Sequence, residues 1–194
     1  MIAILLAGGK SSRIRERTEE KEKALIIFGR SGNRKRLLEL VVESVRASKI
    51  DDFFVALTKN TPNTEAYCRR MKYKTIETRG EGYIEDIQDL LLSYPEFVSI
   101  ACDIPFLRSE HINAIIDAYR LHRISITGAV PLALLPNGIT PSYTFEYRGK
   151  TLVSCGINVV TRSEDSIPFI FDDPLLAINI NTAEDLSVAQ RIVD

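Results

Sequence analysis

Residues 1–13 read MIAILLAGGKSSR. Six apolar residues, Ile2 to Ala7, run without interruption into Gly8 and Gly9, and Lys10 and Arg13 follow. A continuous apolar run closed by glycines reads as a strand buried on both faces, the pattern of a parallel sheet. In open α/β sheets ligands bind beyond the carboxyl ends of the strands, and the glycines stand at that end. Without a Cβ, the backbone approaches a ligand closely, and successive free N–H groups form a nest for an anion. Lys10 and Arg13 add full charges suited to phosphate oxygens. The competing reading is a plain Gly-Gly turn leaving a core strand, with two solvated cations. Spacing excludes two familiar phosphate motifs. A P-loop needs glycine where Ile4 stands, and a G-x-G-x-x-G fingerprint is broken by Ser11 and Ser12.

Outward from this stretch, short apolar runs predict further strands at 53–57, 74–78, 97–101, 126–132, 157–160 and 176–180. Helical faces lie between several of them: Leu37, Leu38, Val41, Val42 and Val45; Ile84, Ile87 and Leu91; Ile112, Ile115, Ile116 and Tyr119. A last helix starts at Thr182 and turns Leu186, Ala189, Ile192 and Val193 inward. Strand–helix alternation predicts an α/β fold with a parallel sheet covered on both faces. After residue 133 the pattern changes. Pro136-Asn137-Gly138, Thr140-Pro141 and Arg148-Gly149-Lys150 mark turns, and SYTFEY (142–147) with TLVS (151–154) predicts a hairpin. No repeat or linker divides the 194 residues, so a single domain over 1–194 is expected.

Composition narrows the classes. The chain is 45% hydrophobic and 26% charged with net charge -1, so bulk charge points to neither nucleic acid nor a membrane surface. Locally, residues 10–36 hold ten Lys/Arg against four Glu, a basic stretch suited to a compact anionic ligand, or else a solvated loop. Cys68, Cys102 and Cys155 are isolated and lack metal spacing, which fits a reducing compartment. No run approaches a membrane span and no leader is recognised, so a cytoplasmic protein is expected.

The opening motif has companions. LAGG with Arg13 and the later EKAL (22–25) resembles the first loop of nucleotidyltransferases of the sugar-nucleotide and molybdopterin-guanylyltransferase type. CDIPFL (102–107) resembles that superfamily's D-x-P-x-L, and NINTAEDL (179–186) its closing motif. NTPNTEAY (60–67), GEGYIEDI (80–87) and CGINVV (155–160) are similar to the archaeal GTP:adenosylcobinamide-phosphate guanylyltransferases. The resemblance implies a three-layer α/β/α, Rossmann-like nucleotidyltransferase fold. Its sheet is mixed and mostly parallel, with a small β-hairpin elaboration. It implies transfer of GMP from GTP to adenosylcobinamide phosphate, with pyrophosphate released and Mg²⁺ as cofactor. A molybdopterin guanylyl- or cytidylyltransferase, or a non-catalytic GTP-binding module on the same fold, are the rival readings. The loop departs from the family in length: Lys23 lies ten residues after Arg13, and Lys21 competes for the role of the family lysine. The sequence leaves the oligomeric state open, a homodimer included.

Carried onto this sequence, the resemblance gives catalytic roles to Lys10, Arg13, Lys23 and Asp103, with Asp103 on the metal, since Mg²⁺ commonly uses one or two carboxylates plus phosphates. Leu6, Ala7, Gly8, Gly9 and Lys10 are expected on the nucleotide, as are Thr58, Asn60, Gly80, Gly82, Tyr83, Glu85, Asp86 and Asp103. Guanine's N1–H and N2–H₂ suit a carboxylate, with Glu81, Glu85 and Asp86 as candidates, although Glu85 and Asp86 serve equally as first-turn acids on a helix dipole. Gly156, Asn158, Asn179 and Asn181 are expected on the substrate. Of Asn179 and Asn181, at most one is expected to face the ligand. Asp185, three residues after Thr182, reads as a capping-box acid. Ser109 reads as a helix N-cap, and His111 and His122 as surface residues. The segment 14–22, highly charged, is expected to order when GTP binds. No general base stands out, and none is needed: an attacking phosphate monoester, with a second pKa of about 6, is already largely dianionic at neutral pH.

Overall fold

In the computed structural model, residues 1–9, 11, 14, 20 and 22–194 are described; Lys10, Arg13 and Lys21, and the expectations resting on them, lie outside these. The elements run β1 (Ile2–Leu6), β2 (Ile27–Phe28), β3 (Lys35–Arg36), α1 (Leu37–Arg46), β4 (Asp52–Leu57), α2 (Pro62–Met71), β5 (Thr75–Glu77), α3 (Tyr83–Ser93), β6 (Glu96–Ala101), α4 (Ser109–His122), β7 (Ser125–Pro131), β8 (Thr144–Tyr147), β9 (Lys150–Thr161), β10 (Ser166–Ile170) and α5 (Ala183–Val193). Eight strands form one sheet in the order β10-β7-β9-β6-β1-β4-β5, with β8 added on β9; β2 and β3 make a small separate pair.

β1 lies between β6 and β4, parallel to both. Its apolar run is explained by this position, because both faces are covered. Ala3 and Leu5 join the main core with the inward stripes of α1, α2 and α4. Ile4 turns to the other face, where Ala56, Phe97 and Leu90 meet. The two faces are unequal. Three helices pack on the first, whereas α3 is the helix contributing to the apolar cluster of the second. Past α3, the second face of β6, β9 and β7 forms the floor of an open cleft. β9 runs antiparallel to both β6 and β7. It carries a bulge opposite Gly128, where Gly156 takes φ +71°. The predicted hairpin is β8–β9, turning at Arg148-Gly149.

Several expectations are corrected. Residues 176–180 do not form a strand. Asp173 caps a 3₁₀ turn over Pro174–Ala177, and beyond it the Ile180 N–H donates to the Asp103 carbonyl at 2.8 Å rather than to a ladder. The apolarity of this segment is core packing: Leu176, Ala177, Ile178 and Ile180 are all fully buried. β10, not foreseen, carries Pro168 and sits at the sheet edge, the position where a strand tolerates proline. α2, also not foreseen, starts with Pro62 in its first turn, where the missing N–H costs nothing. Arg108, not Ser109, is the N-cap of α4. His111 is buried there: its Nδ1 accepts from Arg108 N–H, and its ring lies edge-on to Phe171. On α5, Val188 is buried while Ile192 is exposed.

Candidate active site

The cleft has a volume of about 1070 Å³ and opens at the carboxyl ends of β1, β4 and β6. Leu6, Gly8 and Gly9 form one wall, and Gly80, Glu81, Gly82, Tyr83 and Asp86 a second. Gly156, Asn158, Asn179, Asn181 and Asp103 also line the cleft.

The densest chemistry is at Asp103, in the turn after β6. Its Oδ2 accepts from Lys23 Nζ at 2.9 Å, and its Oδ1 from Asn179 Nδ2 at 3.3 Å. Lys23 Nζ also donates to Asn181 Oδ1 at 2.7 Å, and Asn181 Nδ2 donates to Ser142 Oγ at 2.9 Å. Lys23 is therefore a lysine that reaches the aspartate, while its competitor Lys21 lies outside the described residues. Both asparagines line the cleft, against the expectation that one would face away. The Asn181 N–H donates to the Asn179 carbonyl at 3.0 Å, a tight three-residue turn; side chains two positions apart share a face in a strand as well, so the pair belongs on one side. Asn179 Oδ1 is buried without a hydrogen-bond partner. Asp185 does what its spacing predicts. It is fully buried, accepts from the N–H groups of Asn181 and Thr182, and completes the capping box of α5, so it anchors the asparagine turn from behind.

The glycines have a different immediate neighbour from the one expected. A Cβ on Gly8 would lie 2.4 Å from Thr58 Cγ2, and one on Gly80 would lie 2.8 Å from the same atom. Thr58 is buried beneath both loops, and its hydroxyl donates to the Gly8 carbonyl at 2.8 Å. Thr58 thus supports the glycine wall from behind and is not part of the cleft lining. Asn60, whose N–H donates to Thr58 Oγ1, and Ala7, buried in the core, stand behind the wall as well. Glu85 is exposed and outside the lining, whereas Asp86 ties Gly80 N–H at 2.9 Å and does line the cleft. Gly9 has open space where its Cβ would be, and Gly156 approaches Ala101 and Asn179.

On the floor, Ser99, Asn158 and Thr127 stand side by side across β6, β9 and β7. Asn158 Nδ2 donates to the Tyr83 hydroxyl at 3.2 Å, joining the start of α3 to the sheet. Tyr83 is 54% exposed as a whole residue, but partial desolvation of its hydroxyl raises the phenol above its ordinary value. Burial, and then the Asp103 charge, raise the Cys102 thiol well above its own, so neither group supplies an anion to the cleft. Tyr143, exposed and stacked on Phe145, also lines the cleft. Ser99, Thr127, Ser142 and Tyr143 were missed in the sequence. Isolated serines and threonines in strands carry no signal until strand register puts them in one row.

The matched family is described as the MobA-like NTP transferase domain, and its model covers residues 3–133. The chain belongs to the MobA-like NTP transferase family. A full-length relative agrees: an adenosylcobinamide-phosphate guanylyltransferase from Methanocaldococcus jannaschii is 32% identical over 204 residues, covering 100% of this chain and 97% of the relative. Among solved structures, CMP:2-keto-3-deoxy-manno-octonic acid synthetase complexed with CTP aligns with TM-score 0.66 at 14% identity, over 99% of this chain and 97% of that one. A Bacillus anthracis structure described as a glucose-1-phosphate thymidylyltransferase aligns with TM-score 0.71 at 12% identity, over 100% and 95%. These two show a shared fold. As a MobA-like transferase, the chain is an enzyme of nucleotidyl transfer, with the mixed, mostly parallel sheet and added hairpin described above.

Proposed function

We propose that this chain transfers GMP from GTP to adenosylcobinamide phosphate and releases pyrophosphate. The observation that carries the reading is the pairing of Asp103 and Lys23 at a cleft also lined by Gly8 and Gly9, in a chain 32% identical along its length to a guanylyltransferase of that acceptor. In this reading the triphosphate lies along Gly8 and Gly9, and the base lies against Gly80, Gly82 and Tyr83. Glu81 and Asp86 are within the same wall. The acceptor phosphate attacks the α-phosphorus in line. One P–O bond forms to GMP, the bond to the bridging oxygen breaks, and pyrophosphate leaves with the electron pair.

The donor set fits a divalent cation shared with phosphates. It offers one carboxylate and the unpartnered Asn179 Oδ1, and Mg²⁺ typically takes one or two carboxylates and completes its shell with phosphate oxygens and water. Among the described residues no group of three or more His, Cys, Asp or Glu is arranged to hold a metal by itself. When bound, Mg²⁺ supplies charge neutralisation to the phosphates. The chain's own residues do the rest. Lys23 exchanges its contact with Asp103 for phosphate oxygens, Gly8 and Gly9 hold the chain of phosphates, Asn179 fixes the aspartate and Asn181 holds the lysine.

The acceptor side is supported by size and surface. At about 1070 Å³ the cleft is slightly larger than the range of about 300–1,000 Å³ for small-ligand sites. Its floor over β9 and β7 mixes Ser125, Thr127, Ser154 and Asn158 with Ile126, Val159 and Val160, its rim carries Tyr143 and Ile84, and the lining as a whole is mostly apolar. A large, amide-rich macrocycle suits such a surface. Free, buried cysteines fit a cytoplasmic protein, and no helix among the described residues is long and apolar enough to cross a membrane. The test is a panel of GTP, ATP, CTP and UTP, each with Mg²⁺ and adenosylcobinamide phosphate, read by pyrophosphate release. GTP alone supporting release agrees with the reading. CTP-dependent release, or release only with a pterin acceptor, replaces it with a different transferase of the family.

A further inference from the structure

The sequence EKAL (22–25) joins two residues with opposite surroundings. Lys23 reaches into the cleft. Glu22, its neighbour, is 2% exposed. A carboxylate buried to that degree is costly unless its oxygens are fully hydrogen-bonded. Here one oxygen accepts from Asn63 N–H at 2.9 Å; the other accepts from Thr64 N–H at 2.7 Å and Thr64 Oγ1 at 2.6 Å. Those N–H groups belong to the first turn of α2, where no side chain of the adjoining N-cap, Thr61, supplies a cap. A carboxylate there satisfies orphan donors and meets the positive end of the helix dipole. The cap comes from 41 and 42 positions away in sequence, so it pins the far end of the 10–22 segment to the scaffold.

The pin acts on Lys23 through a short backbone. Lys23 N–H donates to Ser11 Oγ at 3.2 Å, which stitches it to the glycine loop. Ala24 and Leu25 then enter the main core in a 3₁₀ turn. Lys23 is therefore held between a capped helix, the phosphate loop and the core, while its four-carbon side chain spans to Asp103 and Asn181. We infer that Glu22 is a positioning residue of this enzyme: by capping α2 it fixes the backbone from which Lys23 reaches the reacting phosphates. The inference rests on the nucleotidyl-transfer reading for its catalytic consequence. Its geometric content, that Glu22 holds Lys23 in place, stands apart from any activity.

Two measurements separate these. The first is amine labelling of Lys23 by acetic anhydride, read by mass spectrometry on the full chain without nucleotide, with Lys49 as the internal reference. Glu22→Gln, which loses the charge and turns an NH₂ toward a donor, raises the Lys23 rate by about fivefold relative to Lys49, as expected if a tether is lost. Thr64→Val, isosteric and leaving Glu22 in place, moves the rate in the same direction by a smaller factor, and it carries the test if Glu22→Gln does not fold. An unchanged Lys23 rate in whichever variants fold overturns the inference, whatever the enzyme's substrate. The second is turnover with GTP and adenosylcobinamide phosphate in the wild-type and Lys23→Met backgrounds. Glu22→Gln lowers kcat about tenfold in the first and less than about twofold in the second, the non-additivity of two residues acting through one group. Equal loss in both backgrounds means Glu22 serves only the fold, and overturns it. If the wild-type chain turns over no substrate of the panel, the function reading fails while the labelling result still decides the tether.

Discussion

At the scale of single residues, the glycine corner was legible in the sequence, but its physical reason was not. Gly8 and Gly80 are where they are because Thr58 packs beneath them, a contact between loops 50 and 22 residues from Thr58 that no local pattern encodes. Gly8→Ala is expected to destabilise the fold by about 1–3 kcal/mol, the usual cost of overpacking. Thr58→Ser, which removes the Cγ2 that the new methyl meets, should restore part of the loss. Thermal melts of both single variants and the pair check this, and additive losses would contradict it. Asp103 is different in kind, since its carboxylate faces the cleft. Asp103→Asn keeps the size and should keep the melting temperature within a few degrees while turnover falls by about 10²–10³, the scale of losing one preorganised charge. Parallel melting and pyrophosphate assays read the two effects.

Among the elements, the regular ones were legible and the irregular ones were not. β1, β4, β6 and the β8–β9 hairpin fall where apolar runs and turn residues put them. The segment 176–180 was misread because its apolarity serves the core while its backbone bonds go to Asp103. The asparagine turn brings the Asn179 side chain to the Asp103 carboxylate and the Asn181 side chain to Lys23. β10 and α2 escaped because each contains a proline, tolerated at a sheet edge in one case and a helix first turn in the other. His111 escaped for a similar reason, being a buried partner of the α4 N-terminus rather than a surface residue. Burial, and next the Arg108 charge, lower its pKa, with Asp173 and Glu110 opposing. In the unfolded chain it takes up a proton near pH 6.5 (about the ordinary histidine value), whereas the folded protein resists until lower pH. The unfolded state thus binds more protons in that window, so this contribution is complete above about pH 6.5 and is lost as pH falls toward the folded value. Urea midpoints between about pH 7.5 and 5.5 should drop more steeply in the wild type than in His111→Gln; parallel slopes would remove His111 as the cause.

For the whole molecule, the decisive feature is asymmetry of cover. Strand–helix alternation predicted helices on both faces, yet α3 alone packs in the apolar cluster of the second face, and the uncovered part of β6, β9 and β7 becomes the cleft floor. No residue pattern announced this, because Ser99, Asn158 and Thr127 are distant in sequence and meet only through strand register. In the proposed reading the glycine side takes the nucleotide and the open floor takes the acceptor. Tyr143→Ala should therefore raise KM for the corrinoid about tenfold, the loss of one exposed aromatic contact, and leave GTP affinity by calorimetry unchanged. A matching loss of GTP affinity would put the nucleotide on the wrong side of the cleft. The central claim, that an acceptor phosphate displaces pyrophosphate at the α-phosphorus of GTP held between Gly8–Gly9 and Asp103, is tested most directly by position of label. With GTP labelled on the α-phosphate, all transferred label should appear in the corrinoid product, and with the label on the γ-phosphate, all of it in pyrophosphate. Label from the γ-position in the corrinoid, or free inorganic phosphate in place of pyrophosphate, would contradict the account.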